Sequence, residues 1–346
     1  MKSIKEGKMS EALVSLIIPN LNGKEHLKTC LSSIQKATYK NVEIIVVDNA
    51  SKDGSVEFIR TNYPKIKLIA KAVNLGFAKG CNEGMRNAKG KYIALLNNDT
   101  EVDSKWLEEL VQVAESNPRI GVCASKIVMF HDRKILNSAG GEFDIYGFGH
   151  DRGLYETDKG QYSRLEEVFF ACGGAMLIRK EILNNVGFFD SRYFMYGEDL
   201  DFCWRARLQG YRVIYVPSAV VYHKYGGTME AADVQRLYLN SRNNLCSILK
   251  NYGSKSLVKA VLRFSSLKAG ETLFFLIAMR INASSALLKA FVWNIRKFAS
   301  TWKKRENVQM SRKVPDLEIE RLLARKSIEL RWFMQGYFPK FNRVGY

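Results

Sequence analysis

Close cysteine pairs are missing from this chain. Its six cysteines, at positions 30, 81, 123, 172, 203 and 246, form no CxxC, which argues against a zinc site or a disulfide scaffold and suits a reducing compartment. Long apolar runs are missing too. The longest uncharged apolar stretch near the C-terminus, Thr272 to Met279, is stopped by Glu271 and Arg280 and is far too short to span a bilayer. The N-terminal MKSIKEGKMSEA lacks the apolar core of a signal peptide. No GxGxxG follows the first apolar run, where the chain reads NLNGKEH, and that weakens a dehydrogenase reading. Acidic residues are scarce in one region only. From Ala231 onward 22 Lys+Arg face 7 Asp+Glu, or +15, whereas the first 230 residues hold 31 against 28, or +3. With 346 residues and a globular apolar and charged content, wholesale disorder is excluded and one large domain or two smaller ones fit the length.

What is present alternates. Leu13 to Pro19, Val42 to Val47, Ile66 to Ala70 and Tyr92 to Leu96 are short apolar runs, and between them Glu25 to Ala37, Ser55 to Tyr63 and the stretch after Asn74 read as helices. This pattern predicts an α/β fold with a mostly parallel, doubly wound sheet covered on both faces. Trp106 to Ser116 reads as a further helix and Ile120 to Phe130 as a further strand. Residues 131–165 have no clear period and are expected to form a hairpin or mobile loop over the site. Val168 to Ile178 reads as strand, Gly-Gly break, strand; Tyr211 to Val216 and Ala219 to Tyr222 read as two short strands. The expected organisation is a tail over 1–11, a catalytic domain over 12–230 and a basic helical region over 231–346.

The polar groups collect where strands end. Asn20 and Asn22 follow the first, Asp48 and Asn49 the second, Asn74 the third, and Asn97, Asn98 and Asp99 the fourth. In a parallel sheet these fall at one carboxyl edge, where open α/β sheets bind ligands. The set can bond a base, a ribose and a diphosphate, and a carboxylate there can hold a hard divalent cation. Gly76, Gly80 and Gly84 are read as points of close approach to a ligand or to the sheet. Gly173 and Gly174 would let backbone pass close to a sugar or phosphate, or bend a sheet. Glu198, Asp199 and Asp201 open a helix, where acids also cap; among Phe, Tyr, Met and Trp, one of them is a candidate general base. His223, after a strand and before Gly226-Gly227, is a candidate metal or phosphate ligand.

The series VSLIIPNLNG, VDNASKDGS, NLGFAKGCNEG, LLNNDT, ACGGAMLIRKE, GFFD with YGEDLDFCWRARLQGYR, and VYHKYGGT resembles the family 2 glycosyltransferases, and within them the rhamnosyltransferase-like branch of polysaccharide and glycan assembly enzymes. The resemblance covers residues 12 to 228. It implies a GT-A fold, an inverting mechanism, a nucleotide-sugar donor such as dTDP-rhamnose or a UDP- or GDP-hexose, and Mg2+ or Mn2+. By position it assigns Pro19, Asn20, Asn22, Asp48, Asn49, Asn74, Gly76, Gly80, Asn97 and Asn98 to the nucleotide sugar, with Asp48 on its base or ribose. Asp99 and His223 fall to the metal, Asp199 with Glu198 to base catalysis, and Gly173, Gly174 and Asp201 to the acceptor or sugar. Asn97 stands where the family's DxD motif has its first Asp, leaving fewer charged ligands. The chain lacks the two facing carboxylates of a glycoside hydrolase, consistent with one base and a leaving group stabilised by metal.

Beyond those motifs, Val258 to Lys297 mixes Leu, Phe and Ile with Lys and Arg, and Trp302-Lys303-Lys304-Arg305 follows. Such helices can lie on an anionic membrane, which suits an acceptor carried on a polyprenyl diphosphate; the alternative is a helical extension with a solvated basic face. The expected location is the cytoplasm, peripheral on the cytoplasmic face of the membrane. Two rivals stand beside the enzyme reading. One is a catalytically silent sugar-nucleotide-binding subunit. The other, a nucleic-acid-binding protein, is disfavoured by the acidic cluster at 198–201 and the absence of a binding motif, so no nucleic-acid partner is expected.

Overall fold

The computed structural model describes residues 12–224 and 233–327. The expected tail, Gly226-Gly227-Thr228 and the last residues from 328 lie outside them. Two compact units divide the described residues, 12–140 with 151–224, and 141–150 with 233–327.

In the first unit β1 (Val14–Asn20), α1 (Lys24–Gln35), β2 (Val42–Asp48), α2 (Ser55–Asn62), β3 (Lys67–Ala70), α3 (Gly76–Asn87) and β4 (Tyr92–Leu96) follow one another. Then come β5 (Thr100–Val102), α4 (Trp106–Ser116), β6 (Ile120–Met129) and β7 (Leu136–Ala139). After β8 (Gly141–Phe143) and β9 (Gly149–Asp151), which pair with each other, the chain returns through β10 (Glu166–Glu167), β11 (Ala175–Arg179), α5 (Leu183–Val186), α6 (Glu198–Leu208) and β12 (Arg212–His223).

The sheet runs β10-β12-β6-β11-β4-β1-β2-β3, with β5 beside β12 and β7 beside β6. From β3 to β4 it is parallel, as expected where each crossover contains a helix. β11 runs antiparallel between β4 and β6, so the sheet is mixed. That reversal brings the start of β11, rather than its end, to the edge where β1, β2, β4 and β12 finish. Gly173 and Gly174 therefore join the strand-end residues at one edge.

Two local expectations change. Val168 to Ala171 are buried but not a strand; the Arg207 guanidinium donates to the carbonyls of Val168 and Phe169, satisfying backbone that a ladder would otherwise pair. Residues 212–223 form one strand, with a register shift between Val216 and Val220 where Pro217 has no N–H to give.

Both sheet faces are covered. Leu16, Ile18, Val46, Ala94 and Leu96 pack with Leu27 and Leu31 of α1 and Trp106 and Leu110 of α4. On the other face α3 lies directly on β1. A Cβ at Gly84 would stand 2.3 Å from Ile17 Cγ2, so no larger residue fits. Gly84→Ala gains about 1 kcal/mol of helix propensity but overpacks the contact by about 1–3 kcal/mol; the expected net is a lower Tm, read by thermal denaturation.

The second unit is helical, with α7 (Asp233–Asn251), α8 (Ser254–Ile277), α9 (Ile281–Arg296), α10 (Phe298–Ser311) and α11 (Asp316–Glu320). Its interior is unusually polar. Asn243, Ser247, Lys250, Asn251 and Lys268 are buried. Lys268 is neutralised by Glu271 at 2.8 Å, and Arg305 Nη1 donates to the carbonyl of Leu249 at 2.9 Å.

Candidate active site

The ends of β1 and β2 are tied together side chain to side chain. Asn20 Nδ2 donates to Asp48 Oδ2 at 2.8 Å and to Ser51 Oγ at 3.1 Å, while Asn98 Nδ2 donates to Asn20 Oδ1 at 2.6 Å. Asn22 Oδ1 accepts from the Lys52 amide at 2.8 Å. Three strand ends thus form one rigid polar shelf beginning just after Pro19. Asn49 is buried beside it, with Nδ2 3.4 Å from the Gly76 carbonyl and Oδ1 unpartnered.

The entry to α3 faces the same edge. Asn74 Oδ1 accepts from the Gly76 amide at 2.9 Å, and a Cβ at Gly80 would stand 3.0 Å from Asn49 Nδ2. Gly76 has φ +77°, and a Cβ there would meet Phe194 at 2.5 Å. Phe194 and Tyr196 are themselves left-handed, at φ 65° and 68°. Strain of this kind persists only where neighbours over-determine it; here the Phe194 carbonyl accepts from the Ala78 amide at 3.0 Å.

The acidic helix start reaches this edge through the glycines. The Asn97 amide donates to the Gly174 carbonyl at 2.8 Å, and the Gly173 amide donates to Asp199 Oδ2 at 2.8 Å. Asp199 Oδ1 accepts from the Leu200 amide, also at 2.8 Å. Burial pushes the Asp199 carboxyl up to about 6 against these two donors, and the charge of Asp151 adds to the rise. Glu198 is pushed well above the usual carboxylate range, first by burial and then by Asp199, and its Oε2 has no partner. Asp201 is not brought to this group. It is fully buried, 3.0 Å from Arg205 Nε, and Arg205 Nη2 in turn donates to the Phe188 carbonyl at 2.9 Å, so this pair fastens α6 to the preceding segment.

At the end of β12, His223 Nε2 lies 3.2 Å from the buried Asp99 Oδ1. Burial raises the Asp99 carboxyl, but His223 outweighs it and holds the acid below its ordinary value. His223 Nδ1 is 2.7 Å from Asn137 Oδ1. An amide oxygen only accepts, so Nδ1 carries a proton, and Nε2 is the ring nitrogen that faces the carboxylate. Asn137 sits at a register shift between β6 and β7, a bulge that re-aims its side chain. Nothing in the motif ILNSAGG marked Asn137 beforehand. Asp151 and Phe194 were missed for the same reason, since each acts across a long sequence separation.

The model of glycosyl transferase family 2 matches residues 15–187, half of the chain and the part that builds this edge. The chain belongs to glycosyl transferase family 2. Among family relatives, the N-acetylglucosaminyl-diphospho-decaprenol L-rhamnosyltransferase of Mycobacterium tuberculosis is 29% identical over 221 residues, covering 57% of this chain and 71% of that protein. The poly-beta-1,6-N-acetyl-D-glucosamine synthase of Staphylococcus epidermidis is 25% identical over 210 residues, covering 60% and 48%. In fold, this family member resembles S. aureus TarS solved with UDP-GlcNAc, at TM-score 0.56, 16% identity and coverage of 86% and 90%. It also resembles a mannosyltransferase from Pyrobaculum calidifontis solved with GDP-Man and Mn2+, at TM-score 0.54, 16% identity and coverage of 87% and 86%. The fold is GT-A, and the protein is a rhamnosyltransferase-like glycosyltransferase using a nucleotide-sugar donor.

Proposed function

We propose that this glycosyltransferase inverts the anomeric centre as it moves a sugar, rhamnose from dTDP-rhamnose being the favoured case, onto a hydroxyl of a polyprenyl-diphosphate-linked glycan. One observation carries the mechanism: Asp199, pushed up to about 6, is held by Gly173 next to the glycine that bonds the Asn97 amide. A carboxyl with that proton affinity is ionised at neutral pH yet basic enough to take a hydroxyl proton. The acceptor oxygen forms its bond to the anomeric carbon, the bond to the diphosphate oxygen breaks, the proton passes to Asp199, and the nucleoside diphosphate leaves with the electron pair. The shelf of Asn20, Asp48 and Asn98 would hold base and ribose. The rhamnosyl preference and the lipid-linked acceptor are supported by the mycobacterial relative's name.

Asp99 and His223 fit a divalent cation. Asp99 Oδ1 and His223 Nε2 stand 3.2 Å apart, a carboxylate oxygen and an imidazole nitrogen of the kinds a divalent cation takes. Among the described residues no cluster of three or more ligating side chains exists, so most coordination positions would be left for diphosphate and water. Mg2+ or Mn2+ bound there supplies positive charge to the leaving diphosphate. Asn137 fixes the tautomer of His223. Asn137→Leu is expected to weaken Mn2+ affinity by about 10–100-fold, measured as free Mn2+ by electron paramagnetic resonance.

The test is a panel of dTDP-rhamnose, UDP-hexoses and GDP-mannose incubated with Mg2+, Mn2+ or EDTA, with and without a polyprenyl-diphosphate acceptor. Release of one nucleoside diphosphate, lost in EDTA, is expected. Tight donor binding without turnover in any mixture would overturn the enzyme reading in favour of a silent sugar-nucleotide-binding subunit.

A further inference from the structure

Exposed large apolar side chains are unevenly shared in this molecule. Among the described residues, four lie in the first unit (Leu21, Val73, Tyr155 and Leu165) and fifteen in the second. They concentrate on α8, α9 and the turn between them. On α8, Val258, Leu262, Leu273 and Leu276 are all exposed and, at about 100° per residue, share an arc of about 60°. On α9, Ile281, Leu288, Val292 and Ile295 are exposed and share an arc of similar width. The turn is the extreme case: Ile277, Met279 and Ile281 are 74%, 80% and 54% exposed, and every residue from 277 to 281 faces solvent.

The charges around these stripes have one sign. Lys255, Lys259, Arg280, Lys289, Arg296 and Lys297 are exposed. From 254 to 296 the sole acid is Glu271, which is buried against Lys268 at 2.8 Å. The apolar stripes are therefore flanked by positive charge; the exposed carboxylate that touches α8, Glu320, accepts from Ser256 Oγ at 2.7 Å, about 160° round the helix from Val258. A second copy of the chain would set like charges face to face, and a nucleic acid would gain nothing from the isoleucines. No helix among the described residues is long and apolar enough to cross a membrane.

We infer that the α8–α9 hairpin is a membrane-docking element whose apolar stripes and turn enter the interface of an anionic bilayer while the flanking Lys and Arg reach its headgroups. The inference stands on the second unit alone and does not depend on the proposed chemistry.

Flotation of the full chain with vesicles tests it. Binding is expected to vesicles of phosphatidylcholine with about one-third phosphatidylglycerol and not to phosphatidylcholine alone, and to weaken at high salt. Lys289→Gln with Arg296→Gln should weaken it about 25-fold, at about fivefold per basic side chain. Ile277→Asp with Ile295→Asp should abolish it, and unchanged donor hydrolysis would show that both variants are folded. Equal binding of wild type and variants, or no binding to anionic vesicles, overturns the inference. So does a dimer in solution that Ile277→Asp dissociates, which would assign the face to a second copy, or salt-sensitive DNA binding in place of vesicle binding.

Discussion

Asp199→Asn is expected to lower kcat by about 10²–10⁴, the usual contribution of a positioned base, while donor affinity stays nearly unchanged. Asparagine keeps one oxygen to accept from the Gly173 amide, which lies 2.8 Å from Asp199 Oδ2, while the bond that Oδ1 accepts from the Leu200 amide is lost together with the proton acceptor. The pH profile gives an independent reading. Burial pushes Asp199 up to about 6, so wild-type kcat should fall with unit slope as pH drops below about 6, and the residual rate of the variant should lose that limb. The neighbouring Glu198 is also pushed well above the usual carboxylate range, first by burial and then by the charge of Asp199. Stability should move the other way. The folded acid at about 6 lies above its ordinary 3.8, so the folded state holds this proton more tightly than the unfolded chain, and the contribution to stability falls as pH rises between those values. At pH 8 the variant is free of that proton-linked penalty but loses the bond from the Leu200 amide, so its Tm should stay close to that of wild type. A large loss of kcat with a lower Tm and a shifted donor Kd would instead mark Asp199 as structural.

Most of the edge was legible because its signals are local. An apolar run followed by Asn or Asp needs no partner to be read, and parallel pairing of β1, β2 and β4 then places Asn20, Asp48 and Asn97 together. Gly173 and Gly174 were read as a break without a direction; only the antiparallel course of β11 shows that they face the other strand ends. The glycines of α3 divide in a way that spacing cannot reveal, since Gly84 meets β1 whereas Gly80 and Gly76 meet Asn49 and Phe194. Asp201 shares the acidic pattern of its neighbours and differs only in what lies behind it. Arg205, one turn on, takes its charge, so it belongs to the fastening of α6. Asn137 was out of reach altogether, because its role depends on a bulge and on an imidazole 86 positions away.

Asp99→Ala should remove the high-affinity Mn2+ site and lower donor turnover by about 10²–10³, the scale seen when one preorganised stabiliser of developing charge is lost. The two effects are separable. Without the carboxylate, His223 remains oriented by Asn137 at 2.7 Å but is a single neutral ligand, so Mn2+ should bind weakly and high metal should restore part of the rate. Asp99→Asn is the sharper variant. It keeps an oxygen near His223 Nε2, 3.2 Å from Asp99 Oδ1 in the native chain, and removes only the charge, so equal losses in both variants would assign the effect to charge. The folded acid lies below its ordinary value, so its ionised form stabilises the fold above the ordinary carboxylate pKa, and both variants should lower Tm at neutral pH. If both variants keep wild-type Mn2+ affinity and EDTA leaves their turnover untouched, Asp99 holds no metal, and its closeness to His223 is an ion pair with the protonated imidazole.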